Sequence, residues 1–220
     1  MKVVYFLFGW AMVFFLALVP GFVQSSVPTV VRWAEGAPNA VSDVKNDIKI
    51  EGLKTDDIHI FVSLAEIKET EYNRVWVQVS NHGKSPIDFN PEAAVLLKGD
   101  KAVKAENPDK AAGAIQKFGE AKSQELSSAH CTAMSYVGCQ PTNAQMQVSK
   151  QVLVNANGQA EWVRNNGLKE KSITLGDEAQ GAIVFRKDKK ATDYILRLPI
   201  GDQVFEFPLS AQNKIPSFNY

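Results

Sequence analysis

Between residues 58 and 80 the chain carries the same pattern twice. Ile58, Ile60, Val62 and Leu64 occupy every second position, and after the polar turn at 68–71 Val75, Val77 and Val79 do so again, with Trp76, Gln78 and Ser80 between them. An apolar period of two bounded by turn residues belongs to a half-buried antiparallel strand. Similar signals continue downstream. Asn81 to Lys84 reads as a turn into the extended stretch 86–89, and segments 94–98 and 102–105 flank the hairpin turn Gly99-Asp100. The C-terminal third returns to strands at 172–175 and 181–186. It ends in a hairpin in which Tyr194, Leu196 and Leu198 run into Gly201-Asp202 and back through Val204, Phe205 and Phe207.

The period changes in the middle. Asn107-Pro108-Asp109 supplies a cap, a proline suited to the first helical position and an early acid. Ala111, Ala114, Ile115, Phe118 and Ala121 follow at spacings of three and four, which predicts an amphipathic helix over about 108–128. A second helix is expected over about 143–164, with a possible break at Asn155 to Gly158. Short strands on both sides of a helical insertion at about 107–168 approach what a two-sheet sandwich needs.

The run Val75-Trp76-Val77-Gln78-Val79-Ser80-Asn81 leading into Pro86-Ile87-Asp88-Phe89, with Leu175-Gly176 before Gly181-Ala182-Ile183-Val184-Phe185, resembles bacterial extracytoplasmic immunoglobulin-like domains of unknown function. The resemblance covers roughly residues 50–98 and 172–209 and implies an immunoglobulin-like antiparallel β-sandwich with a habit of binding and no attached activity. It lacks the cysteine pair and intervening tryptophan of antibody domains, because both cysteines fall in the insertion.

The first residues bear on compartment. Lys2 is the only charge before Arg32, residues 3–19 are apolar apart from Gly9, and Val23-Gln24-Ser25 follows Pro20-Gly21. A short basic start, an apolar core and small residues at a cleavage point make residues 1–25 a secretory signal. The alternative is an uncleaved anchor formed by residues 3–23, since about 20 apolar residues span a bilayer. Residues 26–47 lack a sustained apolar period and are read as a linker, from which Val30, Val31 and Trp33 could still dock. Residues 48–220 then form the domain. The expected location is periplasmic or secreted.

Cys131 and Cys139 are the only cysteines, and in an oxidising compartment such a pair is expected to form a disulfide. Continuous helix would hold their α-carbons about 12 Å apart, out of disulfide reach, so a helix must end between them, where Gly138 stands. The other chemistry these residues suggest is a soft-metal site: His130, Cys131, Met134 and Cys139 carry imidazole, thiolate and thioether groups suited to copper.

Charge is balanced at 24 basic against 24 acidic residues, which leaves no long-range attraction for nucleic acid or anionic membranes. Membrane contact is expected only through the N-terminal segment if uncleaved. His59, His82 and His130 are the only histidines, and none stands in a G-x-S-x-G, H-E-x-x-H or S-x-x-K setting. Asp43, Asp47, Glu51, Asp56 and Asp57 lack the alternation and glycine of a calcium loop and read as a solvated acidic surface. The basic loop 186–190 reads as an ordinary charged turn.

Trp76 stands apart. It shares a strand face with Gln78 and Ser80, so it either packs under the insertion or forms an exposed contact platform for a ligand. The sequence therefore leads to a non-catalytic binding or scaffolding module of the bacterial cell envelope, with no cofactor and with a protein or envelope component as partner. A copper carrier at the His130 cluster and an envelope hydrolase with a dispersed site are the alternatives. Protein recovered from the envelope is expected to begin at Ser26 and to resist thiol alkylation before denaturation. A chain retaining residues 1–25, or one alkylated at both cysteines while native, would contradict these expectations.

Overall fold

A computed structural model describes residues 28–45, 48–66, 70–128, 142–187 and 193–210. The strands are β1 (Thr29–Arg32), β2 (Ala40–Lys45), β3 (Ile48–Lys54), β4 (Ile58–Glu66), β5 (Tyr72–Asn81), β6 (Ile87–Phe89), β7 (Val95–Lys98), β8 (Lys101–Glu106), β9 (Lys171–Ile173), β10 (Glu178–Arg186), β11 (Asp193–Ile200) and β12 (Gln203–Ser210). Two helices, α1 (Pro108–Ser128) and α2 (Asn143–Asn166), lie between β8 and β9. The fold is mainly β: one large curled sheet plus two helices.

The large sheet runs β1-β12-β11-β7-β8-β10-β5-β4-β3-β2, and β6 pairs with β9 in a small sheet. The curl turns on β8. Its residues 101–104 pair with β7, whereas Ala105 and Glu106 pair with β10, so one short strand passes the ladder from one half of the sheet to the other. The halves then share a single core. Ile60, Val62, Val75, Val77 and Val79 from one half pack in the same cluster as Leu96, Leu196, Leu198, Phe205 and Phe207 from the other. The alternation at 58–64 and 75–79 is the inward face of β4 and β5, and the turn at 201–202, with Gly201 at φ 58°, joins the β11–β12 hairpin.

Residues 26–47 were expected to be a linker, but two strands fall within them. β1 pairs in parallel with β12 at one edge of the large sheet, and β2 pairs with β3 at the other. The connection between them bridges the two edges that the curl brings near each other. The Trp33 backbone N–H donates to the Glu206 carbonyl (2.9 Å), its indole N–H donates to the Val41 carbonyl (3.1 Å), and its ring packs on the core. Four- and six-residue edge strands this short leave no long apolar period to read; their pairing comes from neighbours distant in sequence.

The helices begin and end on local chemistry. Asn107 Oδ1 accepts from the Asp109 and Lys110 N–H groups, and Thr142 and Gln145 form a reciprocal capping box. Of the two readings left open at Asn155–Gly158, the continuous one holds: α2 runs unbroken. Its partner helix explains this. A Cβ added at Gly119 of α1 would lie 2.2 Å from the Ala156 Cβ, and Ser123 Oγ and Ser149 Oγ sit 2.5 Å apart in the buried interface. Such close packing along α2 outweighs about 1 kcal/mol of helix propensity lost at Gly158. Among the described residues no helix is long and apolar enough to cross a membrane.

Two buried carboxyls have opposite environments. On the outer face of β12, Glu206 is gripped by Arg32 of β1 and Arg197 of β11, both at 2.6 Å. Burial pushes its carboxyl up, but the two guanidinium hydrogen bonds and charges outweigh that and hold it below the usual 4.5. Glu51, expected on an acidic surface, is instead 2% exposed on the core-facing side of β3. Lys49 lies 2.5 Å from one of its oxygens, while the other has no partner. Here burial dominates and raises the carboxyl above 4.5 despite Lys49.

The linkage signs follow. Glu206 contributes stability that is present above the unfolded carboxyl value and lost as pH falls through its depressed folded value. Glu51 favours the fold at low pH and loses that contribution as pH rises from the unfolded value through its raised folded one. Glu206→Gln is expected to cost about 1–3 kcal/mol at pH 7 and progressively less in acid. Glu51→Gln is expected to leave stability at pH 7 unchanged or higher. Urea unfolding of both variants between about pH 3 and 8 checks the two signs.

Candidate functional site

The middle of β10, Gly181 to Phe185, is apolar on both faces. Ile183 and Phe185 enter the main core, while Val184, between them, joins a second cluster with Tyr72, Ala111, Ile115, Ala160 and Val163. The helical pair therefore docks on the outer surface of the sheet at β10. Its seat is cut to the backbone: a Cβ at Gly181 would lie 2.5 Å from the Asn166 carbonyl, and the Leu168 N–H donates to the Ala182 carbonyl at 2.9 Å. This docking delivers Trp162, four residues before the end of α2, to the sheet surface.

Trp76 meets it there. The two rings lie 6.2 Å apart, tilted at 48°, within the range in which aromatic pairs attract. The Arg74 guanidinium stands 4.4 Å over the Trp162 ring, a contact of about 0.5–2 kcal/mol depending on hydration. On the neighbouring strand, Phe61 sits opposite Gln78 and Ser63 opposite Trp76. This places Phe61 and Trp76 on one face as diagonal neighbours, about 7–8 Å apart in backbone spacing. The Cδ1–Cε1 edge of Phe61 rests on β3, where only a glycine fits beneath it: a Cβ at Gly52 would come within 2.6 Å of the ring. Lys54 stands 5.8 Å above that ring.

The result is a row of half-buried aromatics, Trp162, Trp76 and Phe61, with a cation over the ring at each end. Ser63 and Gln78 separate Trp76 from Phe61 on the same face, and Gln78 donates to Glu178 at 2.9 Å. The arrangement combines partly open apolar ring surface, a hydroxyl, an amide bonded to the Glu178 carboxylate, and two cations seated on rings. It holds no nucleophile paired with a base. Among the described residues no group of three or more His, Cys, Asp or Glu side chains is placed to hold a metal.

Of the residues singled out in the sequence, Trp76 is in the row. It packs beside the insertion, against Trp162, and remains half-exposed. Cys131, Cys139, His130 and Met134 lie outside the described residues, as do the signal segment and the tail 211–220. Phe61 gives no functional signal of its own, whereas Trp162 is one of the aromatics, with Trp76, Phe89, Phe205 and Phe207, that could line a ligand groove but more often form core. Phe61 stands in the polar phase of the β4 alternation, a hint of an outward aromatic, but Trp162 reads as an apolar helix member until the docking of α2 is known. A shallow groove of about 330 Å³ between the helices, lined by Phe118, Gly119, Lys122, Leu126, Val152 and Ala156, carries no comparable combination of rings and charge.

No family model and no curated protein matches the chain. Among solved structures it aligns with the crystal structure of the yjhA protein from Bacillus subtilis over 76% of this chain and 78% of that one, at 10% identity and a TM-score of 0.30. A likeness at that score carries no argument about fold or function.

The tilted Trp76–Trp162 pair is expected to give an exciton couplet in the far-ultraviolet circular dichroism spectrum, abolished by Trp76→Phe or Trp162→Phe and untouched by Trp33→Phe. A couplet that survives Trp162→Phe would show that the helix does not deliver its ring to the sheet.

Proposed function

We propose that this chain is a non-catalytic binding module of the bacterial cell envelope, exported by residues 1–25 and built on an immunoglobulin-like β-sandwich. The curl of the sheet over one core supports the sandwich reading, and the N-terminal basic-apolar-small pattern supports export. The observation that carries the function is the aromatic row on the outer sheet face. Half-exposed rings with cations over them are poorly spent as packing, because they keep apolar faces in water; they suit a ligand that lays flat faces on them and brings negative charge.

An acidic polysaccharide of the envelope fits that chemistry. Sugar rings lie against Trp76 and the ring surface that its neighbours leave open, carboxylates meet Lys54, and hydroxyls meet Ser63 and the Gln78–Glu178 pair. The pre-formed row limits the ordering cost on binding. A protein partner would use the same anchors, and the test separates the two.

Affinity electrophoresis with polygalacturonate against dextran gives the readout. Polygalacturonate is expected to retard the protein and dextran is not. Trp76→Ala and Trp162→Ala are expected to weaken retardation by about tenfold or more, as for a central aromatic anchor. Lys54→Gln is expected to weaken it less and to flatten its salt dependence. Failure of polygalacturonate to retard the wild-type protein, or retardation unchanged in Trp76→Ala, would overturn this reading.

A further inference from the structure

We propose that His59 and His82 together form a two-imidazole site for a divalent transition ion, with Cu(II) the tightest. The sequence separates these residues by a strand and a turn, and the fold stacks them. His59 occupies the outer face of β4 opposite Ser80, and His82 follows two residues later at the end of β5. Their ring centroids are 4.0 Å apart with a 39° tilt. Two metal–nitrogen bonds of about 2.1 Å let ligand nitrogens lie up to about 4.2 Å apart; the exposed His82 ring has to swing out of the stack so that an in-plane nitrogen from each ring points at a common ion.

Both ligands stand on rigid supports. β4 is a central strand whose inward residues Ile58 and Ile60 are buried. The turn carrying His82 is pinned by fully buried Asn81, whose amide donates to the Ser85 and Ile173 carbonyls and whose Oδ1 accepts from the Gly83 N–H. The His82 and Gly83 N–H groups also donate to the Asp57 carbonyl. Held ligands of this kind cost little ordering when an ion arrives. The chemistry matches as well. Neutral imidazole is the ligand form. Two nitrogen donors favour Cu(II) over the other first-row divalent ions, and the remaining positions are filled by water or by an oxygen of a bound ligand.

The test is titration of the untagged full chain with Cu(II) at neutral pH, any free thiol being alkylated first. Binding is followed by calorimetry and by electron paramagnetic resonance. One ion per chain, with hyperfine coupling to two imidazole nitrogens, is the expected result. His59→Gln and His82→Gln are each expected to weaken binding by at least about tenfold, since even outer-shell partners alter metal affinity by that much. His130→Gln is expected to leave it unchanged. Both substituted side chains lie on the outer face, and unfolding curves verify that the variants fold. Absence of Cu(II) binding, coupling to fewer than two nitrogens in the wild-type protein, unchanged affinity in either His59→Gln or His82→Gln, or loss in His130→Gln would overturn the proposal.

Discussion

The handover of backbone hydrogen bonds at β8 is the constraint on which the rest of the molecule depends. A flat sheet of this many strands could not bury one face against itself. By pairing first with β7 and then with β10, β8 turns the sheet so that the inward residues of β4 and β5 meet those of β11 and β12. The curl also decides what becomes of the sheet edges. Residues 33–39 cross from β1 to β2, and Trp33 is fixed there by hydrogen bonds to both flanks of the seam. The Arg32–Glu206–Arg197 cluster then ties β1 to β12 and β11 on the outer face, which a parallel edge strand of only four residues needs.

β10 connects that core to the surface chemistry. A strand buried on one face alternates apolar with polar residues, whereas Gly181-Ala182-Ile183-Val184-Phe185 has no polar position. The outward members can be buried only by another layer, and the helical pair supplies it. Gly181 and the Leu168–Ala182 hydrogen bond fix how closely α2 approaches, and that distance places Trp162 beside Trp76. The aromatic row is thus a consequence of helix-on-sheet packing, made from side chains that no local pattern groups together.

Much of the strand and helix content was legible because it rests on local periodicity. The alternation at 58–64, 75–79 and 194–207 is visible wherever one face is wet and one dry, and α1 was legible from its cap and its three-four spacing. The features that escaped the sequence rest on distant partners. β1 and β2 are too short to show a period. Glu51 reads as one more surface acid until β2 and β4 flank it, and Gly158 reads as a breaker until α1 packs along α2.

The candidate sites divide in the same way. The sequence by itself determined the β-rich character, the positions of the two helices and the placement of Trp76 on the face opposite Val75, Val77 and Val79, because each follows from the phase of a residue within its own segment. Only the tertiary structure decided that Trp76 faces Trp162 under Arg74, that Phe61 lies over Gly52, and that His59 stacks on His82. Those contacts join residues from different strands, a turn and a helix. Their spacing is set by sheet curl, register and helix docking, and these emerge only when the whole chain buries its apolar surface at once.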